Sequence, residues 1–296
     1  MNFATELLQE LSELAMTAAK AAGEVINKHR QSDIQFHHKD RGTSAASQVV
    51  TEVDHKAQAV ILNILEPSCE KYDLALLTEE SPDSRQRMNK QAFWCVDPMD
   101  GTLAFINHTP GFSVSIALVS RDGTPLIGVV YDPMTNTLFH AIHKGGVLNN
   151  GKVLQVPKLD TTQPLILQTD FSFKNHPWLK QTLTGLQEIS RELGLNGADI
   201  QYSVGAVLNA CAVLQMPNTC YFKYSRIGNS GGSLWDYAAT ACLFNEAGAI
   251  ASDIYGQPMD LNRADSTFMN HRGLLYATDP LLADFIIVLN KQLSAA

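Results

Sequence analysis

Five carboxylate side chains stand where short apolar segments of the chain end, and their type suggests metal chemistry. Glu79 and Glu80 follow one such segment, Asp97 ends the next, Asp100 comes soon after it, and Asp236 lies far downstream at the start of a predicted helix. Carboxylates held at short range repel one another and raise each other's pKa unless a cation neutralises them. Their oxygens are hard ligands that suit Mg²⁺, Mn²⁺ or Ca²⁺. The pattern therefore predicts a site for divalent cations.

The segment DPMDGT, residues 97–102, has a backbone suited to such a site. Pro98 restricts the chain so that both aspartates and the Met99 carbonyl can face one ion, and Gly101 permits a close approach of the backbone. The segment alone is equally consistent with an ordinary Asp-Pro turn that binds nothing. The expectation of a metal site therefore depends on the carboxylates elsewhere in the chain.

A site for an anion is expected beside the metal ions. We expect Asp100 to cap a short helix that runs through residues 103–106. The first amide groups of that helix would point outward and bind a phosphate group at Gly101 and Thr102. Because the chain has a net charge of −8, an anionic substrate needs local positive charge, which metal ions would supply.

The letters DGTL also end the signature of the haloacid dehalogenase phosphatases, whose nucleophilic aspartate lies two residues before the second aspartate. Pro98 occupies that position here, and Asp97 lies one residue too far away. A second DGT, residues 122–124, has Ser120 at the corresponding position and is typical of a hairpin turn. A covalent aspartyl-phosphate mechanism is therefore not expected.

Helices and short strands must position these residues. The spacing of apolar residues predicts amphipathic helices over residues 5–28 and 51–65, the second ending before Pro67, with a polar loop over residues 31–48 between them. Short apolar runs between residues 73 and 142 predict strands. The helices expected further along the chain cover residues 176–193, 208–214 and 237–247.

Composition and patterning favour two packed halves. No repeat or low-complexity linker divides the 296 residues. We expect residues 1–156 to supply most metal ligands and residues 157–296 to supply Asp236 and the substrate pocket. The hydrophobic content of 45% is enough for a substantial core, and no apolar run approaches the roughly 18 residues of a membrane span. A membrane is therefore not expected as a partner.

Several other classes of function are not expected. The five cysteines are scattered without C-x-x-C spacing, which gives no support to a zinc site or a redox dithiol. The chain has no basic tract, so a nucleic-acid polymer is not expected as a partner. Acidic residues stand where a signal peptide would have basic and apolar ones. We expect a cytoplasmic protein.

Three motifs, in this order and spacing, resemble the signature of the inositol monophosphatase superfamily: a Glu-Glu pair, a W-x-x-D-P-x-D-G-T segment followed by Phe, and W-D-x-A-A followed by E-A-G. The resemblance implies an α/β (α+β) layered sandwich, α-β-α-β-α, and hydrolysis of a small phosphomonoester by metal-activated water. The matching segments are Glu79-Glu80, residues 94–102 with Phe105, residues 235–239 with residues 246–248, and TEVD at residues 51–54.

The resemblance also implies roles for particular residues. Asp54 and Thr102 fall where a carboxylate and a hydroxyl orient the attacking water, with Glu79 nearby. The implied assembly binds Mg²⁺ and a small phosphomonoester, and a homodimer is one arrangement that we consider. The residues at the family's positions for two or three Mg²⁺ ions are Glu79, Asp97, Met99 through its carbonyl, Asp100 and Asp236.

The motifs leave the substrate open. Inositol-specific members usually have T-N-F after DGT and 3'(2'),5'-bisphosphate nucleotidases have K-E-F, whereas residues 103–105 are Leu-Ala-Phe. Inositol enzymes tend to have a glutamate before the W-D pair, and residues 226–234 contain no acid, Asn229 being the nearest candidate. Ala206-Val207 replaces the small hydroxyl pair expected after Gly205, which supports neither branch.

Two features favour a bisphosphate nucleotide such as 3'-phosphoadenosine 5'-phosphate. Residues 268–270, Phe-Met-Asn, are similar to the F-L-N ending of the nucleotidases. Lys223 and Arg226 could bind a second phosphate beside rings that stack on a base, although an edge strand with solvated cations is the alternative. Inositol monophosphate, a fructose-1,6-bisphosphatase activity and a non-catalytic regulator that binds a phosphometabolite remain open.

Overall fold

The computed structural model describes residues 3–30, 36–38, 49–203, 205–228 and 231–295, with only the backbone at residues 36–38, 49 and 50. The polar loop expected over residues 31–48 lies outside them, apart from a short strand, β1 (Phe36–His38), which pairs antiparallel with β2 (Val49–Thr51). Asn229 also lies outside the described residues.

The larger sheet of the described chain has seven strands that lie side by side in sequence order. The first two run parallel and the other pairs are antiparallel. The hairpin turn predicted at residues 122–124 is confirmed, with Gly123 at φ 86°. The strands are β3 (Ala75–Thr78), β4 (Ala92–Asp100), β5 (Ser113–Ser120), β6 (Pro125–Asp132), β7 (Thr137–Ile142), β8 (Val147–Asn149) and β9 (Lys152–Val153).

The smaller sheet mixes parallel and antiparallel strands. Its strands are β10 (Leu165–Asp170), β11 (Ala198–Ser203), β12 (Thr219–Lys223), β13 (Ile250–Ser252) and β14 (Leu274–Ala277). Their spatial order is β11-β10-β12-β14-β13, so β12 is the central strand. The alternative of an edge strand at Lys223 is therefore wrong, because β12 is bonded on both sides.

Helices α1 (Thr5–His29) and α2 (Glu52–Tyr72) bury one apolar stripe each against an outer face of the larger sheet. The predicted end of the second helix before Pro67 is wrong, since α2 continues to Tyr72. A proline inside a helix costs about 3 kcal/mol, and buried contacts beyond it offset that cost. Ser68 is buried, and its Oγ accepts a hydrogen bond from Trp94 Nε1 at 2.9 Å.

The remaining helices complete five layers. α5 (Ala206–Gln215) and α6 (Leu234–Ala247) lie between the two sheets, and a short helix, α3 (Thr102–Ile106), follows β4. α4 (Leu179–Glu192) and α7 (Pro280–Ser294) cover the outer face of the smaller sheet. This arrangement confirms the α-β-α-β-α sandwich. Within the described ranges, no helix combines the length and apolar character needed to cross a lipid bilayer.

Gly128 sets how closely α6 approaches the larger sheet. A Cβ atom at this position of β6 would lie 2.4 Å from the backbone oxygen of Ala239 in α6. A Cβ atom cannot be accommodated that close to an oxygen, so only glycine allows the two backbones to approach as they do. Because α6 also carries Asp236, the packing at Gly128 fixes the height of that carboxylate above the sheet.

We expect Gly128→Ala to lower the free energy of unfolding by about 1–3 kcal/mol, because α6 must move to admit the methyl group. Gly145→Ala is the comparison variant, since the new atom there meets mainly the side chain of Ile142, within the same turn, and not the backbone of another element. Urea unfolding monitored by circular dichroism measures both. Equal losses of unfolding free energy in the two variants would show that the close approach of Gly128 to the Ala239 backbone does not determine the stability.

Candidate active site

The C-terminal end of β4 brings two aspartates to one face of the sheet. Asp97 pairs with Ser115 and Asp100 with Ser113, so β4 places two residues opposite the single residue between these partners. Side chains of a regular strand alternate between faces, and positions three apart would point in opposite directions. The extra residue of the bulge reverses that alternation. Both carboxylates therefore lie on the same side.

Asp236 reaches the same place from the second half of the chain. It lies in the first turn of α6, and its carboxylate accepts a hydrogen bond from the backbone N–H of Ser233. One oxygen each from Asp97, Asp100 and Asp236 lie within 4.8 Å of one another. Three hard oxygen donors at this spacing could hold a divalent cation.

Asp100 does not cap the helix that follows it, so that expectation is wrong. Its two carboxylate oxygens accept hydrogen bonds from the backbone N–H groups of Ala206 at 3.1 Å and Val207 at 2.9 Å, at the start of α5. Gly205, the residue before α5, has no side chain to cap it. Asp100 supplies the missing acceptor, while Gly101 stands before α3 without a side-chain cap.

Two glycines make this approach of α5 to β4 possible. Gly101 and Gly205 have φ angles of 86° and 89°, which disfavour other residues. A Cβ atom on either would lie 2.2–2.3 Å from the backbone oxygen of Gly111. At Gly205 it would also lie 2.8 Å from Asp100 Oδ2. The backbone is therefore packed as closely as possible around the Asp100 carboxylate.

The pKa values of the three aspartates are raised. Burial, followed by the charges of Glu79, Asp100 and Asp236, raises the pKa of Asp97 well above its ordinary value. Burial raises the pKa of Asp100 to about 7, although its bonds to the α5 amides oppose the rise. Burial and then the Asp100 charge raise the pKa of Asp236 to about 8. Bound cations would reverse these shifts.

Glu79 and Glu80 follow β3 at the edge of this cluster. The Glu79 N–H donates to the Val96 carbonyl at 3.1 Å, which continues the pairing of β3 with β4, and its side chain lines the cavity around the aspartates. The Glu80 N–H donates to Gln58 Oε1 at 3.1 Å. Only Glu79 of the pair lines the cavity.

Asp54 and Thr102 form a hydrogen-bonded pair beside the cluster. Thr102 Oγ1 donates to Asp54 Oδ1 at 3.0 Å and lies 3.3 Å from the Met99 carbonyl oxygen. The other oxygen of Asp54 accepts from the N–H and Oγ1 of Thr51, at 2.8 and 2.6 Å. The pair is buried, so Asp54 is not a solvated helix acid. The spacing T-x-x-D at the start of α2 is a sequence signal for the bonds between Thr51 and Asp54.

Lys223 and Arg226 both line the cavity but differ in charge pairing. Lys223 Nζ lies 2.9 Å from Asp170 Oδ2. This ion pair lowers the pKa of Asp170 to about 2, and although burial opposes the charged ammonium, the pair holds the pKa of Lys223 well above its ordinary range. Arg226 is exposed. Sequence reasoning missed Asp170, because nothing near it in the chain marks its partner.

One cavity of about 1130 Å³ lies between the two halves of the chain, and it is lined by the three aspartates, Glu79, Thr102, Lys223 and Arg226. Ligand pockets are typically about 300–1,000 Å³, so the cavity has room beyond what a phosphate group fills. The carboxylate cluster lies in the part formed by β4 and α6, whereas Asp170, Phe171 and Tyr202 line another part from the smaller sheet. Such a layout suits a ligand with one anionic end and a larger body.

Comparisons with known proteins agree with this geometry. The model of the inositol monophosphatase family matches residues 7–287. The Nus factor SuhB of Escherichia coli strain K12 is 33% identical over 243 residues, which are 82% of this chain and 85% of that protein. SuhB of Salmonella typhimurium strain LT2 is 34% identical with the same coverage. The crystal structure of the extragenic suppressor protein SuhB from Bartonella henselae superposes with a TM-score of 0.71 at 24% identity, covering 94% of this chain and 98% of that one.

The raised pKa values predict how stability depends on pH. A carboxyl whose folded pKa exceeds its unfolded value of about 4 binds more protons when folded, so stability falls as pH rises from about 4 towards 8. In chelator we expect the melting temperature to fall over that range. Mg²⁺ should raise it most near pH 8, by roughly 2–4 °C for each kcal/mol of binding energy.

Thermal melts of two variants check this assignment. Asp236→Asn should flatten the pH dependence and weaken the Mg²⁺ effect, because it removes the carboxyl whose pKa is about 8. Asp284→Asn changes an exposed carboxyl on α7. It should leave the pH dependence of the melting temperature and the effect of Mg²⁺ unchanged. A pH dependence that survives Asp236→Asn undiminished would place its origin elsewhere.

Proposed function

Because the chain belongs to the inositol monophosphatase family, we propose that it is a Mg²⁺-dependent phosphatase that hydrolyses a small phosphomonoester. The observation that carries the proposal is the convergence of Asp97, Asp100 and Asp236 beside the Asp54–Thr102 pair. A cytoplasmic location belongs to the same proposal, and it is supported by five free cysteines. The homodimer is part of the same proposal.

The residues present fit Mg²⁺. Carboxylate and carbonyl oxygens are the donors that this ion prefers, and no softer ligand is among them. We assign two or three ions to Glu79, Asp97, the Met99 carbonyl, Asp100 and Asp236. When bound, Mg²⁺ would neutralise phosphoryl charge and lower the pKa of a coordinated water.

Side chains and amide groups of the chain would orient the attacking water and the phosphate. Asp54 holds the Thr102 hydroxyl as a donor, so the lone pairs of Thr102 Oγ1 can accept a hydrogen bond from the attacking water. Glu79, at the edge of the cluster, is the further carboxylate assigned to this water. Amide groups at Gly101 and Thr102 would bind phosphate oxygens. No covalent phosphoenzyme is required.

For the substrate, we propose either a bisphosphate nucleotide resembling 3'-phosphoadenosine 5'-phosphate or an inositol monophosphate. The size of the cavity and the cations Lys223 and Arg226 along it support the first. Of these, Arg226 is the better candidate for a second phosphate, because Asp170 already pairs with Lys223. Fructose 1,6-bisphosphate is the third candidate substrate to be tested.

A second candidate is a non-catalytic protein that binds a phosphometabolite and regulates a partner. The curated relatives compared above are called Nus factor SuhB, a name that states no hydrolytic activity. A regulator of this kind has no need of a complete metal site, whereas this chain brings its carboxylates and the Thr102 hydroxyl together. Absence of phosphate release with every substrate in Mg²⁺ would favour this candidate.

Removing a metal ligand is expected to abolish most activity. Asp97→Asn and Asp236→Asn should each lower kcat/KM by about a hundredfold or more, since even outer partners of metal ligands are worth 10–100-fold. Asp284→Asn is the matched exposed control. The measurement is phosphate release with Mg²⁺ and with chelator, and family resemblance adds inhibition by Li⁺ and by Ca²⁺. Full activity in chelator would contradict the proposal.

Arg226→Ala is expected to affect a bisphosphate more than a monophosphate. Loss of one charge-assisted contact should lower kcat/KM for 3'-phosphoadenosine 5'-phosphate by about ten- to a hundredfold. The effect on inositol 1-phosphate should be smaller, because its single phosphate binds at the metals. Lys223→Ala is tested together with Asp170→Asn, so that the partly buried Asp170 carboxylate is not left without its partner. Equal losses of kcat/KM on both substrates would indicate that Arg226 and Lys223 stabilise the fold and do not bind the second phosphate.

A further inference from the structure

An aromatic side chain, Phe171, is half exposed in the cavity. Phe171 keeps 50% of its surface accessible and lines the cavity near the end of β10. Its ring stacks on Tyr202 of β11, with centroids 6.1 Å apart and planes inclined by 21°. Half of a phenylalanine left in water forgoes much of the stabilisation that its burial would give. A ring kept exposed inside a pocket is therefore a candidate for binding a ligand.

The local backbone holds Phe171 in this position. It begins a short 3₁₀ helix, Phe171–Asn175, which Asp170 caps by accepting the Ser172 N–H at 3.1 Å. Two residues along, Phe173 turns inward and stacks on His176 with centroids 5.0 Å apart. With Phe173 anchored in the core and Asp170 fixed at the helix start, Phe171 faces the cavity.

The same ring pair carries a cation. Lys174 Nζ lies 4.8 Å from the ring centroid of Phe171 and 4.8 Å from that of Tyr202. This ammonium group is attracted to the ring faces and is exposed. The stacked pair thus offers the half-exposed ring of Phe171 close to a positive charge, a combination that suits a planar ring attached to an anionic group.

The ring pair is connected to the carboxylate cluster through Asp170. This residue precedes Phe171 in the chain and forms the ion pair with Lys223. The Lys223 ammonium is near enough to Asp100 and Asp236 to oppose the rise in their pKa. A ligand with its phosphate at the aspartates can therefore extend past Lys223 to the rings within one cavity.

We propose that Phe171 and Tyr202 form a platform on which the base of a nucleoside phosphate stacks, with Lys174 beside it. This inference rests on the proposed function and deepens it, because it assigns the body of the substrate to named residues. Base stacking on an aromatic side chain is tolerant of sequence and needs only an exposed ring face. Tyr221, one of the rings beside Lys223 in the chain, is fully buried and cannot serve.

The test is the ratio of kcat/KM for adenosine 3'-monophosphate to kcat/KM for glycerol 2-phosphate, which has no ring. Phe171→Ala should lower this ratio by about 5- to 150-fold, mainly through KM, because stacking is ground-state binding. Phe171→Trp should keep the ratio, and Phe171→Leu should lower it although it preserves apolar surface. Leu281→Ala, an equally exposed apolar position on α7, should leave it unchanged.

An unchanged ratio in Phe171→Ala would overturn the platform while leaving the phosphatase proposal intact. If the wild type releases no phosphate from either compound, calorimetric binding of adenosine 5'-monophosphate decides the platform, and the phosphatase proposal fails only if the substrates proposed above release none either. Weaker binding to Phe171→Ala by about 5- to 150-fold would then support it. Equal affinity of the wild type and Phe171→Ala, or equal losses in Phe171→Ala and Leu281→Ala, would contradict it.

Discussion

Repulsion among buried carboxylates is the interaction on which the rest of this structure depends. Asp97, Asp100 and Asp236 stand close enough to share an ion, and burial adds to the cost of charging them. Hydrogen bonds from backbone amides and the charge of Lys223 relieve part of this cost, and without a cation the remainder favours protonation, which the raised pKa values describe. The fold therefore stores an unfavourable charge arrangement at one place. A divalent cation would remove that cost, which supports the proposal that the cluster binds one.

Backbone devices hold the arrangement together against this repulsion. The bulge in β4 turns two aspartates to one side, and the α5 amides hold Asp100 there. Gly101 and Gly205 let the two backbones approach, and the backbone contact at Gly128 holds α6 close to the sheet. The bulge and the glycine contacts are backbone geometry and close packing, which do not titrate, whereas the α5 amide bonds end on a carboxylate that does. The bulge and the glycine contacts can therefore position the carboxylates whether or not these are charged.

Residue types and positions predicted a cluster of carboxylates, and the resemblance of three compact motifs to a known family implied which of them would meet and the layered fold. Contacts between distant segments were not predictable. Asp100 was expected to cap its own helix, yet its acceptor role goes to α5 because Gly205 leaves those amides uncapped. Lys223 was expected to be available to a phosphate, and its partner Asp170 comes from a neighbouring strand of the smaller sheet. Phe171 was not singled out, because exposure depends on which residue of its 3₁₀ turn enters the core.

The central claim is that Asp97, Asp100 and Asp236 share a divalent ion. The most direct measurement is a crystal structure with Mn²⁺. The anomalous scattering of this ion identifies its position without any assumption about its ligands. The account predicts an anomalous peak about 2.0–2.6 Å from an oxygen of each of the three aspartates, and its loss or weakening in Asp236→Asn. An empty cluster in crystals that hold Mn²⁺ elsewhere, or a peak unchanged in Asp236→Asn, would contradict it.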